Sequence, residues 1–207
     1  MKLYFSPGTC ALAPHIALYE AGLPFEAKRV SLRTHKLADG SDYYAINPKG
    51  YVPTLEFDDG DRLTEGPAIV QFIADQAPAQ RLAPPPGSRE RYHLVEWLNF
   101  ITAELHKAYS LLFNPAMPEE AKALTRTKLL ERYRFVDERL AGRPHLQGED
   151  FTVADAYLYV VTRWAPLVNL DLSGLANVAA FMERVAARPA VQQALQAEGL
   201  AGGENKR

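Results

Sequence analysis

The sequence predicts an α+β domain followed by an all-helical domain, and three observations carry that expectation. Residues 2–32 read as strand, helix, strand; residues 52–64 read as an antiparallel hairpin; and beyond a proline-rich stretch every apolar repeat has helical spacing. The 207 residues are 47% apolar and 23% charged, so the chain can bury a core and lies outside the range of disordered sequences. A formal net charge of -2, with no dense Lys/Arg cluster, argues against a nucleic-acid partner. Pro7 and Pro14 interrupt the N-terminal stretch, and no apolar run approaches the length of a membrane span. The expectation is a cytoplasmic protein without membrane attachment. Cys10 is the one cysteine, which excludes an internal disulfide or a thiolate metal cage and suits a reducing compartment.

Lys2 to Ser6 reads as a strand, Pro7-Gly8-Thr9 as a turn, and Ala11 to Ala21 as a helix ended by Gly22, with Cys10 at its N-terminus. Phe25 to Leu32 alternates apolar and polar residues and reads as a second strand. Residues 35–46 read as a weaker helix, and Asn47-Pro48-Lys49-Gly50 as a turn. Val52 to Phe57, turn residues Asp58-Asp59-Gly60-Asp61, and Arg62 to Thr64 form the hairpin. Gly66 in a cap position and Pro67 at the first helical position then open a helix over 67–76. This βαβαββα order is that of a thioredoxin-like domain, residues 1–77.

Residues 78–87 contain three consecutive prolines and mark a linker to an all-α domain at 88–207. There Ser88 caps a long helix to about Phe113, and Glu119 to Leu140 forms the next. Thr152-Val153-Ala154-Asp155 resembles a capping box ahead of a very apolar helix, Ala156 to Leu167. Two more helices follow at 176–187 and 190–198, and 202–207 reads as a frayed tail.

Three groups of residues carry chemistry. Pro53 cannot donate to a strand ladder, so it must open its strand; a cis Val52-Pro53 bond there would leave the Val52 N–H and C=O to pair with an extended peptide. Glu65 suits an ammonium, and the helix start after it suits a carboxylate, so the stretch fits a zwitterionic peptide-like ligand. Cys10 at a helix N-terminus favours a thiolate, although a small buried core residue is an equal alternative. No second cysteine stands at C-x-x-C spacing, so redox work needs an external thiol. His106, with Asn99 seven residues earlier on the same helical face, is a third candidate, although most helical histidines are structural. The remaining histidines show no metal-ligand spacing, and there is no glycine-rich nucleotide loop.

Ser6-Pro7-Gly8-Thr9-Cys10, Asn47-Pro48-Lys49-Gly50-Tyr51-Val52-Pro53, Glu65-Gly66-Pro67-Ala68-Ile69, Trp97-Leu98-Asn99-Phe100, Glu104-Leu105-His106-Lys107 and Phe151-Thr152-Val153-Ala154-Asp155-Ala156-Tyr157 together resemble the cytosolic glutathione transferases of the bacterial beta class. The resemblance covers nearly the whole chain. It implies that Val52 and Pro53 pair with the cysteinyl backbone of glutathione, that Glu65 and Gly66 hold its γ-glutamyl group, and that Cys10 lies beside its sulfur. Many relatives have serine where Gly66 stands. Lys107 and His106 match residues near the glycyl end and the thiol, and His35 stands where some members have a lysine near the glycyl carboxylate. Asn99 and Glu104 match positions that reach the glutathione of a partner subunit, which implies a homodimer. Tyr109, Ser110 and Trp164 match positions of the second-substrate pocket, and Thr152 with Asp155 matches a folding motif of the family.

The expected function is activation of the glutathione thiol for attack on a small hydrophobic electrophile held by the helical domain, with Cys10 and His106 as catalytic residues, glutathione as co-substrate and no metal. Two alternatives stand beside it. One is a thiol transferase or reductive dehalogenase that uses Cys10 covalently, and the other a non-catalytic binding protein on the same fold.

Overall fold

The computed structural model describes residues 1–201; the tail expected to fray, 202–207, lies outside them. The chain divides into two compact units, Met1–Leu82 together with the chain from Arg188 onward, and Ala83–Ala187. Sequence reading ended the first domain at 77 and assigned everything after 88 to the second, so the last helix belongs to a different unit from the one expected.

The first unit is built on a five-stranded sheet in the order β3-β2-β1-β4-β5. Strand β1 (Lys2–Phe5) pairs in parallel with β2 (Glu26–Ser31), because helix α1 (Leu12–Ala21) carries the chain back to the same end of the sheet. The hairpin β4 (Thr54–Glu56) and β5 (Arg62–Thr64) adds antiparallel strands on the other side of β1. Helix α1 is apolar almost all round, and eight of its ten residues are buried. It packs against both α2 (Gly66–Gln76) and α8 (Pro189–Ala197). Gly22 ends it in the left-handed region, φ 65°, where a side chain would be strained. Helix α8 is held by Arg188, whose guanidinium grips Glu20 through two bonds of 2.6 and 2.9 Å.

One expected element is absent. Residues 35–46 contain the two-residue strand β3 (Lys36–Leu37) and a single 3-10 turn at Tyr43–Ala45 in place of a helix. Asp39 accepts from Ser41, and Asp42 accepts from the Tyr44 N–H, so local side chains take the amides that a helix would have used.

The second unit is helical throughout: α3 (Arg89–Phe100), a π-helical stretch (Ile101–His106), α4 (Lys107–Leu112), α5 (Glu119–Leu140), α6 (Val153–Thr162) and α7 (Ala176–Ala186). Every residue of α6 is buried, as its composition predicts, although the helix begins at Val153 and ends at Thr162, earlier at both ends than expected. Asp155 accepts the Thr152 N–H and hydroxyl, each at 2.8 Å, and the Leu146 N–H at 2.8 Å, completing the anticipated capping box. The triple-proline stretch is less free than a linker, because Arg91 donates to the Pro84 carbonyl and Ser88 to that of Pro85.

Candidate functional site

The bend before β4 is set by its neighbours. The Val52-Pro53 bond is cis, as the position of the proline suggested. Two buried side chains brace it: Tyr43 donates to the Tyr51 carbonyl at 2.8 Å, and Asn47 donates to the same oxygen at 2.7 Å. Both also contact the Thr54 hydroxyl. Gly50 has φ 69°, and a Cβ there would lie 2.7 Å from the Tyr44 ring, so only glycine fits the approach. Tyr44 in turn stacks on His35, with centroids 4.5 Å apart. His35 thus sits beside this turn with its own φ at 51° and its buried Nδ1 without a hydrogen-bond partner.

Cys10 departs from expectation in two ways. It precedes α1 by two residues instead of capping it, and its Sγ–H donates to the Val52 carbonyl at 3.4 Å. The Val52 carbonyl, expected to pair with a peptide, accepts this weak bond with one lone pair and keeps the other. Burial pushes the Cys10 thiol up to about 12; the Cys10 and Ala11 amides pull it back only in part, and the negative charges of Glu65 and Glu198 add to the rise. Cys10 is a neutral hydrogen-bond donor here, and the expected dipole-stabilised thiolate is not realised.

Glu65 occupies the N-cap of α2 with φ 71°, an uncommon conformation for a residue with a side chain, and its carbonyl accepts the Ala68 and Ile69 N–H groups. Gly66 is the first helical residue and not the cap, and a Cβ added there meets nothing within 4 Å. A serine would fit. The Glu65 carboxylate is exposed and pairs with Lys49, which also donates to the Thr64 hydroxyl at 2.8 Å. Sequence reading placed Lys49 only in a turn; its spacing to Glu65 gave no signal, since the hairpin alone brings them together.

Glu198 was also missed. Its carboxylate, at the end of α8, accepts the Gly8 N–H at 2.8 Å and meets His15 Nδ1 at 2.9 Å, with both side chains fully buried. The loop that carries Cys10 is thus tied to the C-terminal end of α8, 190 residues away in sequence.

In the helical unit, His106 ends the π-helical stretch. Its Nδ1 lies 2.6 Å from the Tyr157 hydroxyl, and its ring meets the edge of Trp164 at 5.0 Å. The extra residue per turn in a π-helix breaks the seven-residue spacing that put Asn99 on the same face. Asn99 is exposed and folds back onto the Val95 carbonyl, Glu104 pairs with Arg132 at 2.7 Å, and Lys107 is exposed at the start of α4. Tyr109, expected at the second-substrate pocket, is turned inward. It is fully buried, and its hydroxyl lies 3.0 Å from that of Tyr133, which donates to Thr162. Trp164 is buried against Tyr109 and Phe113, and Ser110 is exposed.

A sheet of mixed strands ending in a cis-proline turn beside a cysteine, with a helical unit following, defines a thioredoxin-fold protein carrying an appended helical domain. The glutathione S-transferase N-terminal domain family matches residues 8–76 and the C-terminal domain family residues 100–189. The chain is 50% identical over 200 residues to glutathione S-transferase GstA of Escherichia coli O157:H7, covering 97% of this chain and 100% of that one. The bacterial transferase BphK, in a ternary complex, superposes with a TM-score of 0.95 at 56% identity, covering 97% of this chain and 100% of that one. A sphingomonad glutathione S-transferase complexed with glutathione gives 0.93 at 48% identity with the same coverage. The chain belongs to the glutathione S-transferase family, and within it to the bacterial beta class. Among the described residues no group of side chains could hold a metal ion, and no helix is long and apolar enough to cross a membrane.

Proposed function

We propose that this protein is a glutathione transferase in which a neutral Cys10 thiol serves as a hydrogen-bond donor to the glutathione sulfur. The observation that carries the reading is the 3.4 Å contact from Cys10 Sγ to the Val52 carbonyl, made on a cis-proline turn with Glu65 at the adjoining helix start. The cysteinyl backbone of glutathione pairs with the Val52 peptide, its γ-glutamyl ammonium meets Glu65, and its carboxylate takes the start of α2 at Gly66. Cys10 then turns its S–H from the Val52 carbonyl to the incoming sulfur. A donor held against a developing thiolate favours that thiolate, so the glutathione thiol gives its proton to solvent water and the thiolate attacks the electrophile. His106 is assigned to tuning the same thiolate by hydrogen bonding, on the strength of the family resemblance alone. A thiol held near 12 is a poor nucleophile, so this arrangement favours conjugation over the covalent use of Cys10.

The electrophile is small and hydrophobic, with Ser110 and Trp164 of the helical unit as its contacts; Tyr109 is withdrawn. His35 and Lys107 are assigned to the glycyl end. The active form is a homodimer in which Asn99 and Glu104 reach the glutathione of the other subunit, and the setting is cytoplasmic detoxification. Retention on immobilised glutathione, heat on titrating the tripeptide, and conjugation of a model aryl halide test the main reading. Absence of all three overturns it. Cys10→Ala separates the roles: conjugation weakened with no disulfide reductase turnover in either protein supports the donor role, whereas a reductase activity lost with conjugation intact supports the covalent one.

A further inference from the structure

We propose that Lys49 is a resident counter-cation of Glu65 that the γ-glutamyl ammonium of glutathione has to displace. It thereby sets the specificity of the site, weakening the hold on glutathione and admitting thiol peptides that lack this ammonium. The inference rests on the reading of Glu65 as the partner of the ligand's ammonium and goes beyond it by giving a task to a lysine from the preceding turn.

The occupied carboxylate carries the argument. Lys49 Nζ pairs with the Glu65 carboxylate and donates to the Thr64 hydroxyl at 2.8 Å. Among the described residues Lys49 is the only cation paired with Glu65. The lysine and the ligand present the same chemical group, a primary ammonium, so they compete for the same carboxylate lone pairs. A ligand arriving at Glu65 therefore exchanges one ion pair for another, where a bare carboxylate would gain a pair outright.

The backbone on both sides is pinned, so the pairing is preformed. Asn47, 2% exposed, holds the turn: its side-chain oxygen accepts the Lys49 N–H at 3.1 Å, and its carbonyl accepts the Gly50 N–H at 2.8 Å. The same side chain donates to the Tyr51 carbonyl and the Thr54 hydroxyl at the cis-proline turn. Across the hairpin, Thr64 stands in register with Thr54, and the Glu65 carbonyl accepts the Ala68 and Ile69 N–H groups. The two charged side chains remain partly exposed, 46% for Lys49 and 70% for Glu65, so the flexible lysine stem can swing into water when a ligand ammonium arrives. A peptide without that ammonium meets the opposite situation. Lys49 stays in place, Glu65 remains neutralised, and no unpaired carboxylate faces the ligand's own carboxylate.

Binding calorimetry on the full chain tests this with two peptides: glutathione, and glutaryl-cysteinyl-glycine, which lacks only the γ-glutamyl amino group. Lys49→Met keeps the stem and removes the charge. The variant should bind glutathione about 2- to 5-fold more tightly than the unaltered protein, the range of an exposed ion pair, and the glutaryl peptide no more tightly. Raising the ionic strength from about 10 to about 100 mM cuts the screening length from about 30 to about 10 Å, and should weaken the variant's hold on glutathione more than that of the unaltered protein. Thermal unfolding checks that the variant is folded. Glutathione bound no more tightly by the variant overturns the inference, and weaker binding would move Lys49 to the ligand's carboxylate. An equal gain for the glutaryl peptide overturns it too, because that gain would not come from the ammonium. Absence of heat with glutathione in the unaltered protein is a separate failure: it brings down the glutathione reading itself, and the role of Lys49 with it.

Discussion

Replacing Asp155 by alanine should be among the most damaging single changes in the helical unit. The carboxylate is fully buried and accepts three hydrogen bonds of 2.8 Å: from the Leu146 N–H, the Thr152 N–H and the Thr152 hydroxyl. The hydroxyl can turn to another acceptor, but the two amides are fixed by the backbone. Each buried donor left without a partner costs about 1–3 kcal/mol, so the pair costs roughly 2–6 kcal/mol. In a chain of this size about 1 kcal/mol lowers Tm by ~2–4 °C, which puts the expected fall at roughly 5–20 °C. Asp155→Asn should recover little, because its amide nitrogen would face one of the two donors. Thermal and urea unfolding followed by far-UV circular dichroism measure the loss, and stability within about 0.5 kcal/mol of the unaltered protein would refute the accounting.

Three other outcomes follow from the same geometry. The Cys10 thiol is raised in the folded protein, so its neutral form is the favoured one: it places no penalty on folding below the ordinary cysteine pKa, and the penalty grows as pH climbs from about 8.5 toward about 12. Thiolate absorbance and iodoacetamide labelling of the ligand-free protein should therefore be near background at pH 7 and still rising at pH 10; a plateau below pH 8 would contradict the burial argument. Glu198→Ala removes the partner of both the Gly8 amide and His15 and should cost about 2–4 kcal/mol in unfolding experiments. Tyr109→Phe removes only a buried hydroxyl contact and should cost about 1 kcal/mol while leaving KM for any electrophile unchanged, as measured by steady-state kinetics.

The hairpin, the cis-proline turn and the apolar helix at α6 were legible because each depends on residues close together in sequence: Pro53 at a strand start, Asp59-Gly60 in a turn, Thr152 three residues before Asp155. What the sequence hid depends on distance. Tyr109 was placed in the pocket by family resemblance alone, but its hydroxyl is held by Tyr133 on α5, which in turn bonds Thr162 on α6. The state of Cys10 was misread for a similar reason: the helix dipole is a local property, whereas burial and the charges of Glu65 and Glu198, which raise its thiol, depend on the folded chain. The π-helical stretch before His106 has the same apolar periodicity as an ordinary helix, so the shift of register was invisible.

Because Glu198 and Arg188 close the unit that begins at Met1, its contacts to Gly8, His15 and Glu20 cannot form until synthesis has passed the entire helical segment between them. Emergence from the ribosome therefore favours completion of the later segment first, with the early sheet waiting for its final layer. A fragment cut at the prolines would carry Cys10 and the bent turn but not the carboxylate that ties down the Gly8 loop, so dissecting this chain at its most obvious seam separates a binding loop from its own support.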